Sequence, residues 1–169
     1  MNNLALITGN LCSLIAMVTD SVSASRKTAK AVLLMQSLSQ LFYCLGTIVL
    51  KGYSGAVQNA MGILRNLMVV RNIQNKLVEW TLVILGVALG LWFNNRGLMG
   101  LLPVIANLQY TLVVFHCKDN DRILKFSFLI SVILFAIFNF VILNVIGAIS
   151  SLVIAVSTAA ALIRTAKNG

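Results

Sequence analysis

Apolar residues fall in seven long blocks separated by short polar stretches: 4–19, 31–50, 56–70, 77–93, 98–115, 125–143 and 145–163. Blocks of this length predict helices that cross a bilayer, which needs about 20 residues per span. Several are shorter, so tilt or local thinning is expected. The N-terminus, MNNLALITGN, has no basic segment, and no small-residue cleavage site follows its apolar run. It predicts a retained helix and not a signal peptide.

Composition narrows the class. The chain has 169 residues, 59% hydrophobic and only 10% charged, whereas soluble domains carry about 25% charged residues. No polar stretch is long enough to build an extramembrane domain. Thirteen Lys and Arg stand against four Asp and Glu, and their placement explains the excess. Ten lie in alternate connections: Arg26, Lys27 and Lys30; Arg71 and Lys76; Lys118, Arg122 and Lys125; Arg164 and Lys167. The other connections hold Lys51 and Arg96. Such a bias over short loops orients a polytopic protein, with the N-terminus outside, seven spans and the C-terminus in the cytoplasm. Nucleic-acid binding has no remaining support. Arg65 is the one cation that topology leaves unexplained.

Sliding the chain by 92 residues sets SGAVQNAMGILRNLMVV (54–70) on IGAISSLVIAVSTAAAL (146–162). Gly55 meets Gly147, Ala56 meets Ala148, and polar positions coincide, Gln58 with Ser150, Asn59 with Ser151, Arg65 with Ser157 and Asn66 with Thr158. Seven spans then divide into a first three-helix bundle (1–76), a connecting helix (77–97) and a second bundle (98–169). An odd connecting helix gives both bundles the same orientation, the parallel repeat of SWEET-type transporters, whose sites lie at the repeat interface.

Polar residues inside the spans are the candidate chemistry. At 100° per residue Gly55, Gln58, Asn59, Gly62, Arg65 and Asn66 share an arc of about 120° on the third helix. Ser150, Ser151, Ser157 and Thr158 take the matching face of the seventh. Such a face must meet protein or a water-filled cavity; packing by interhelical hydrogen bonds is one account, substrate contact the other. Arg65 has two readings as well, snorkelling to the inner interface or facing a cavity and an anionic or carbonyl-rich solute. Gln36, Gln40, Tyr43 and Thr47 form one face of the second helix, with repeat partners Phe128, Val132, Phe135 and Asn139. In the fifth helix Pro103, Asn107 and Tyr110 share a face, and Pro103, the only proline, predicts a kink or hinge. Ala5, Gly9 and Ser13 make a close-packing seam, within the bundle or between copies of the chain in a homo-oligomer. Trp80 and Trp92 read as interfacial anchors.

Other chemistry is missing from the sequence. His116 is the single histidine, and Cys12, Cys44 and Cys117 are widely spaced without a C-x-x-C, so neither a metal site nor a disulfide framework is expected. Asp20, Glu79, Asp119 and Asp121 all fall near the cytoplasmic boundary of the predicted spans. No phosphate loop, nucleophile elbow or carboxylate pair occurs, so no enzyme activity and no cofactor are expected.

The stretches GNLCSLIAMVTDSVSASRK, SGAVQNAMGILRNLMVVR and LLPVIANLQYTLVVF resemble the YgjV-type bacterial inner-membrane proteins over nearly the whole chain. The most specific parts are Gly55, Ala56, Asn59 and Arg65, and Leu101 to Ile105. The resemblance implies a bacterial inner-membrane location and kinship with SWEET and PQ-loop transporters, which share a triple-helix-bundle repeat. SWEET third helices are similar in an Asn-x-x-Gly element, here Asn59 to Gly62, whose Asn contacts substrate. The seventh helix has Ser151 and Ile154 instead, and Thr19-Asp20-Ser21 stands where PQ-loop proteins carry Pro-Gln.

The expected protein is therefore an all-α membrane protein, a small transporter or facilitator for a polar metabolite. Its expected substrate residues are Asn59, Arg65 and Asn66, with Gln36, Gln40, Tyr43, Asn107, Tyr110, Asn139, Ser157 and Thr158 as further contacts, and Pro103 as hinge. The alternatives are a binding subunit that docks on an energising transport complex, and a non-transporting membrane interaction protein with a dry, packed centre.

Overall fold

The computed structural model describes residues 2–24, 28–73, 75–117 and 120–167. Of the residues invoked above, Arg26, Lys27, Lys118 and Asp119 lie outside these. Seven α-helices follow one another: α1 (Asn3–Ala24), α2 (Ala29–Val49), α3 (Tyr53–Val70), α4 (Lys76–Trp92), α5 (Leu102–His116), α6 (Asp121–Val141) and α7 (Val145–Lys167). A 3-10 turn, Gly97–Leu101, runs directly into α5.

Local chemistry sets several boundaries. Thr28, Asn75 and Asn120 cap α2, α4 and α6, each side-chain oxygen accepting from a first-turn N–H. This satisfies donors that have no partner within the helix. Three helices end through a left-handed residue: Lys51 (φ 57°), Asn72 (φ 54°) and Leu143 (φ 61°). After α2, Gly52 N–H donates to Thr47 O (2.7 Å) and Lys51 N–H to Ile48 O (2.9 Å). After α6, Asn144 N–H donates to Asn139 O (2.9 Å) and Leu143 N–H to Phe140 O (3.1 Å). Both are Schellman turns, and they stand 92 residues apart, the spacing of the sequence repeat.

Packing follows chain order. α2 lies between α1 and α3, α6 between α5 and α7, while α1 meets α7 and α3 meets α5. Six helices thus close a ring, and α4 leans on α3 and α5 from outside, burying only Leu82, Gly86 and Gly90. Gly9 and Ser13 are buried against α2, where Gly46 approaches the Gly9 carbonyl. The α1 seam is therefore used within the chain. One end of the ring is plugged by Leu50, Phe138 and Ile142, all essentially inaccessible, with Leu6 and Leu102 packed beside them. Loop residues reinforce this end: Arg96 donates to Leu50 O (3.0 Å) and Lys51 O (3.2 Å), and Asn95 to Lys51 O (2.7 Å). Asn10 accepts from Ile146 N–H (3.0 Å) and donates to Leu143 O (3.1 Å), tying α1 to the α6–α7 turn.

Five segments are long and apolar enough to cross a membrane: Asn3–Ser23, Lys30–Val49, Gly97–His116, Arg122–Val141 and Val145–Ile163. The sequence led us to expect seven. α4, at 17 residues, is short, and α3 is diluted by Gln58, Asn59, Arg65 and Asn66. Pro103 also departs from expectation. It stands in the first turn of α5, where its missing N–H has no helical partner to lose, so it marks the change from 3-10 to α instead of kinking an α-helix.

Candidate functional site

Arg65 is the centre of the buried polar chemistry. It keeps 6% of its surface and does not snorkel outward. Its Nη1 donates to Asn107 Oδ1 (3.1 Å) and Thr111 Oγ1 (3.1 Å) on α5, and its guanidinium carbon lies 4.7 Å from the centre of the Tyr110 ring. Asn107 Nδ2 in turn donates to Gln58 Oε1 (2.8 Å), and Gln58 Nε2 to the Gly86 carbonyl of α4 (2.7 Å). The bonds run in one direction, from guanidinium through two amides to a backbone carbonyl, which fixes both amide orientations. Gly90 lets α4 approach, since a Cβ there would collide with Gln58 and Val104.

Among the described residues no carboxylate pairs with Arg65. Its neighbours are an amide, a hydroxyl and an aromatic face, which solvate the cation without neutralising it. A buried unpaired charge carries an effective penalty of several kcal/mol, so an uncompensated cation inside a membrane protein is a functional signal.

The neighbouring interior positions are unsatisfied. Asn66 is buried, and its Nδ2 has no partner. From α2 the Gln40 side chain lies over Gly62, where a Cβ would sit 2.8 Å from Gln40 Oε1, and that oxygen is buried without a partner too. Gly55, on the same face of α3, is met by Phe138 of α6, so this face looks into the ring. Asn59 and Gln36 are half-buried and form no hydrogen bond among the described residues. Tyr43 reaches α7, sharing a 2.8 Å hydrogen bond with Ser150.

Three expected contacts stand elsewhere. Asn139 stands in the last turn of α6, where its Oδ1 accepts from Asn144 Nδ2 of the α6–α7 turn (3.0 Å). Ser157 is exposed and bonds back to Val153 O (2.8 Å). α3 is flanked by α4, but α7 packs on α6 and α1, so the position equivalent to Arg65 is left uncovered. Thr158, half-buried, bonds back to Ile154 O (2.8 Å).

The sequence reading missed other members. Gln58 stood on its polar arc without a role, and Thr111, one turn after Asn107, was overlooked although i and i+4 share a helix face. Gln109 ties α5 to α6 through Ser127 and Ser131, a satisfied packing knot. Asp20 lies in the last turns of α1, close to Ser39 and Tyr43 of α2. A shallow apolar groove lined by Arg122, Ile123, Phe126, Leu162 and Ile163 lies between α6 and α7, apart from Arg65. No cluster of three His, Cys, Asp or Glu suited to a metal occurs among the described residues.

Long apolar helices around an internally polar ring define a polytopic helical membrane protein. The family Imp-YgjV, bacterial inner membrane protein, matches residues 7–169. The chain belongs to this family. No curated protein and no solved structure matches it.

Proposed function

We propose that the protein is a small transporter or facilitator, moving a small polar solute through the centre of the helix ring by alternating access. On this reading all seven helices cross the membrane, with the N-terminus outside and the C-terminus in the cytoplasm. Residues 1–76 and 98–169 act as two bundles of equal orientation joined by the helix of 77–97, an arrangement of the SWEET and PQ-loop kind. The matched Schellman turns 92 residues apart support the duplication. The solute-facing set of this reading is Asn59, Arg65, Asn66, Gln36, Gln40, Tyr43, Asn107 and Tyr110. Its partners are the bilayer and the solute; bond-making chemistry, a cofactor and nucleic acid have no part in it.

The observation that carries the reading is Arg65: a buried cation of α3 held against α5, without a counter-charge among the described residues, on a helix that also carries the buried, unpartnered Nδ2 of Asn66. Interhelical packing alone gains little from such a group, because apolar residues of similar volume avoid the desolvation cost. The Leu50–Phe138–Ile142 plug supplies a gate at the outer end. Opening it separates the two equivalent turns and moves one bundle against the other.

The test is flux. Proteoliposomes containing the purified protein should exchange a labelled polar metabolite from a panel of organic acids, amino acids and sugars, and Arg65→Met should abolish that exchange. Folded wild-type protein that exchanges no member of the panel would remove the basis of the proposal.

A further inference from the structure

We infer that the groove between α6 and α7 holds an anionic phospholipid, with an acyl chain on Ile123, Phe126, Leu162 and Ile163 and the phosphate on Arg122. The inference goes beyond transport and does not depend on it.

These five residues line one cavity of about 400 Å³, within the size range of small-molecule sites. α6 and α7 are packed neighbours joined by a short turn, so the start of one lies beside the end of the other. Arg122 opens the candidate span Arg122–Val141, and Ile163 closes the candidate span Val145–Ile163. The groove therefore sits where the hydrocarbon of a bilayer gives way to headgroups. Phe126 stands one turn deeper than Arg122 on the same face of α6, about 6 Å along the axis. Cation at the boundary and apolar wall below it repeat the order of a phospholipid, phosphate above and chain beneath. Phe126 and Ile163 each expose more than half of their surface, so the wall is open to a chain arriving from the bilayer.

Charge selects the headgroup. Arg122 is exposed and lies in the first turn of α6, at the positive end of the helix dipole. Its guanidinium presents paired N–H groups that match two phosphate oxygens. The segments flanking the groove in sequence carry five basic residues, Lys118, Arg122, Lys125, Arg164 and Lys167, against Asp119 and Asp121. Positive charge is left over even with both acids neutralised, which favours a headgroup of net negative charge. A zwitterionic headgroup brings its own cation and gains less. Basic pockets between membrane helices recognise acidic headgroups by this same balance. On the proposed topology this end of the groove is cytoplasmic.

Native mass spectrometry of the purified full chain in mixed micelles tests the inference, with phosphatidylglycerol and phosphatidylcholine of identical chains. Phosphatidylglycerol should occupy the first site about tenfold more tightly than phosphatidylcholine. Glycerol phosphate, which has the phosphate but no chains, should not displace it. Arg122→Gln should remove the preference. Lys76→Gln, which deletes an exposed cation of α4 outside the groove, should keep it. Ile163→Trp, at an exposed position, should crowd the groove and weaken both lipids. The comparison of lipids runs on the wild-type protein, so it does not depend on any variant folding. Equal retention of the two lipids, displacement by glycerol phosphate, or a lipid-free dimer as the main species would each overturn the inference. So would a preference that survives Arg122→Gln, one that is lost in Lys76→Gln, or lipid binding untouched by Ile163→Trp.

Discussion

If Arg65 is kept for a ligand, removing it should cost the fold less than removing the residue that solvates it. Asn107→Leu deletes the acceptor for Arg65 (3.1 Å) and the donor to Gln58 (2.8 Å). It leaves Gln58 Oε1 unpartnered and Arg65 with Thr111 as its hydrogen-bond acceptor beside the Tyr110 ring. Bonds to charged groups contribute about 1.5–3 kcal/mol and neutral ones about 1, while in a bilayer unfolded-state partners lower these values. The expected loss is about 2–4 kcal/mol. Arg65→Met differs because its partners can reconnect: Thr111 Oγ1 already donates to Asn107 Oδ1 at 3.4 Å, and Asn107 keeps Gln58. Removing a desolvated cation also relieves a penalty of several kcal/mol, so this variant should fall within about 1 kcal/mol of wild type or exceed it. In the Arg65→Met background, Asn107→Leu should cost about 1–2 kcal/mol less than alone. Reversible unfolding in mixed lipid–detergent micelles, followed by Trp80 and Trp92 fluorescence, measures all four corners of the cycle. Additivity within about 0.5 kcal/mol would mean that the two groups do not interact. An Arg65→Met loss as large as that of Asn107→Leu would make Arg65 a clamp for the fold and refute the reasoning.

Arg96→Ala should destabilise by about 1 kcal/mol in the same unfolding assay, because the Leu50 carbonyl just after α2 loses its side-chain donor and the Lys51 carbonyl keeps only Asn95; an unchanged midpoint would deny the loop that role. Leu143→Gly should stabilise by up to about 1 kcal/mol, since Leu143 is held at φ 61° where a Cβ is unfavourable, and a loss of stability would show that the leucine side chain outweighs the strain. Single cysteines at Lys51 and Lys76, in a background lacking Cys12, Cys44 and Cys117, should react with a membrane-impermeant maleimide from opposite sides, Lys51→Cys from outside. Labelling of both from one side would overturn the seven-span topology.

The hydrophobic blocks located the helices well: the block at 31–50 became α2 (Ala29–Val49), and the one at 56–70 became α3 (Tyr53–Val70). A continuous apolar run says nothing of hydrogen-bond pitch, so the 3-10 turn before Pro103 was invisible and the proline was read as a kink. Helical angles group residues on a face without saying what that face meets. They put Arg65 beside Asn66, and Asn107 beside Tyr110, but α3 and α5 had to be seen in contact before Asn107 became the acceptor for Arg65. The same arithmetic could not show that Asn139 accepts from Asn144, because an amide near a helix end can serve the turn as readily as the interior.

On the proposed two-bundle reading, the two halves agree at one end and differ in the interior. Leu50 and Ile142, equivalent C-caps 92 residues apart, meet in one apolar cluster, so the plug is a contact that near-symmetry supplies at little cost in new sequence. The polar interior is not symmetric. Arg65 faces α5 in the space that α4 covers from outside, and its equivalent, Ser157, is exposed because nothing takes the place of α4 beside α7. A lone α4 therefore gives one bundle a shielded position where a cation can be buried and hydrogen-bonded, and denies it to the other. A charged residue at the second position would be exposed on an apolar candidate span, a costly place for a charge inside a bilayer, whereas a serine bonded back to its own helix is tolerated. The asymmetry of the site follows from the odd number of helices.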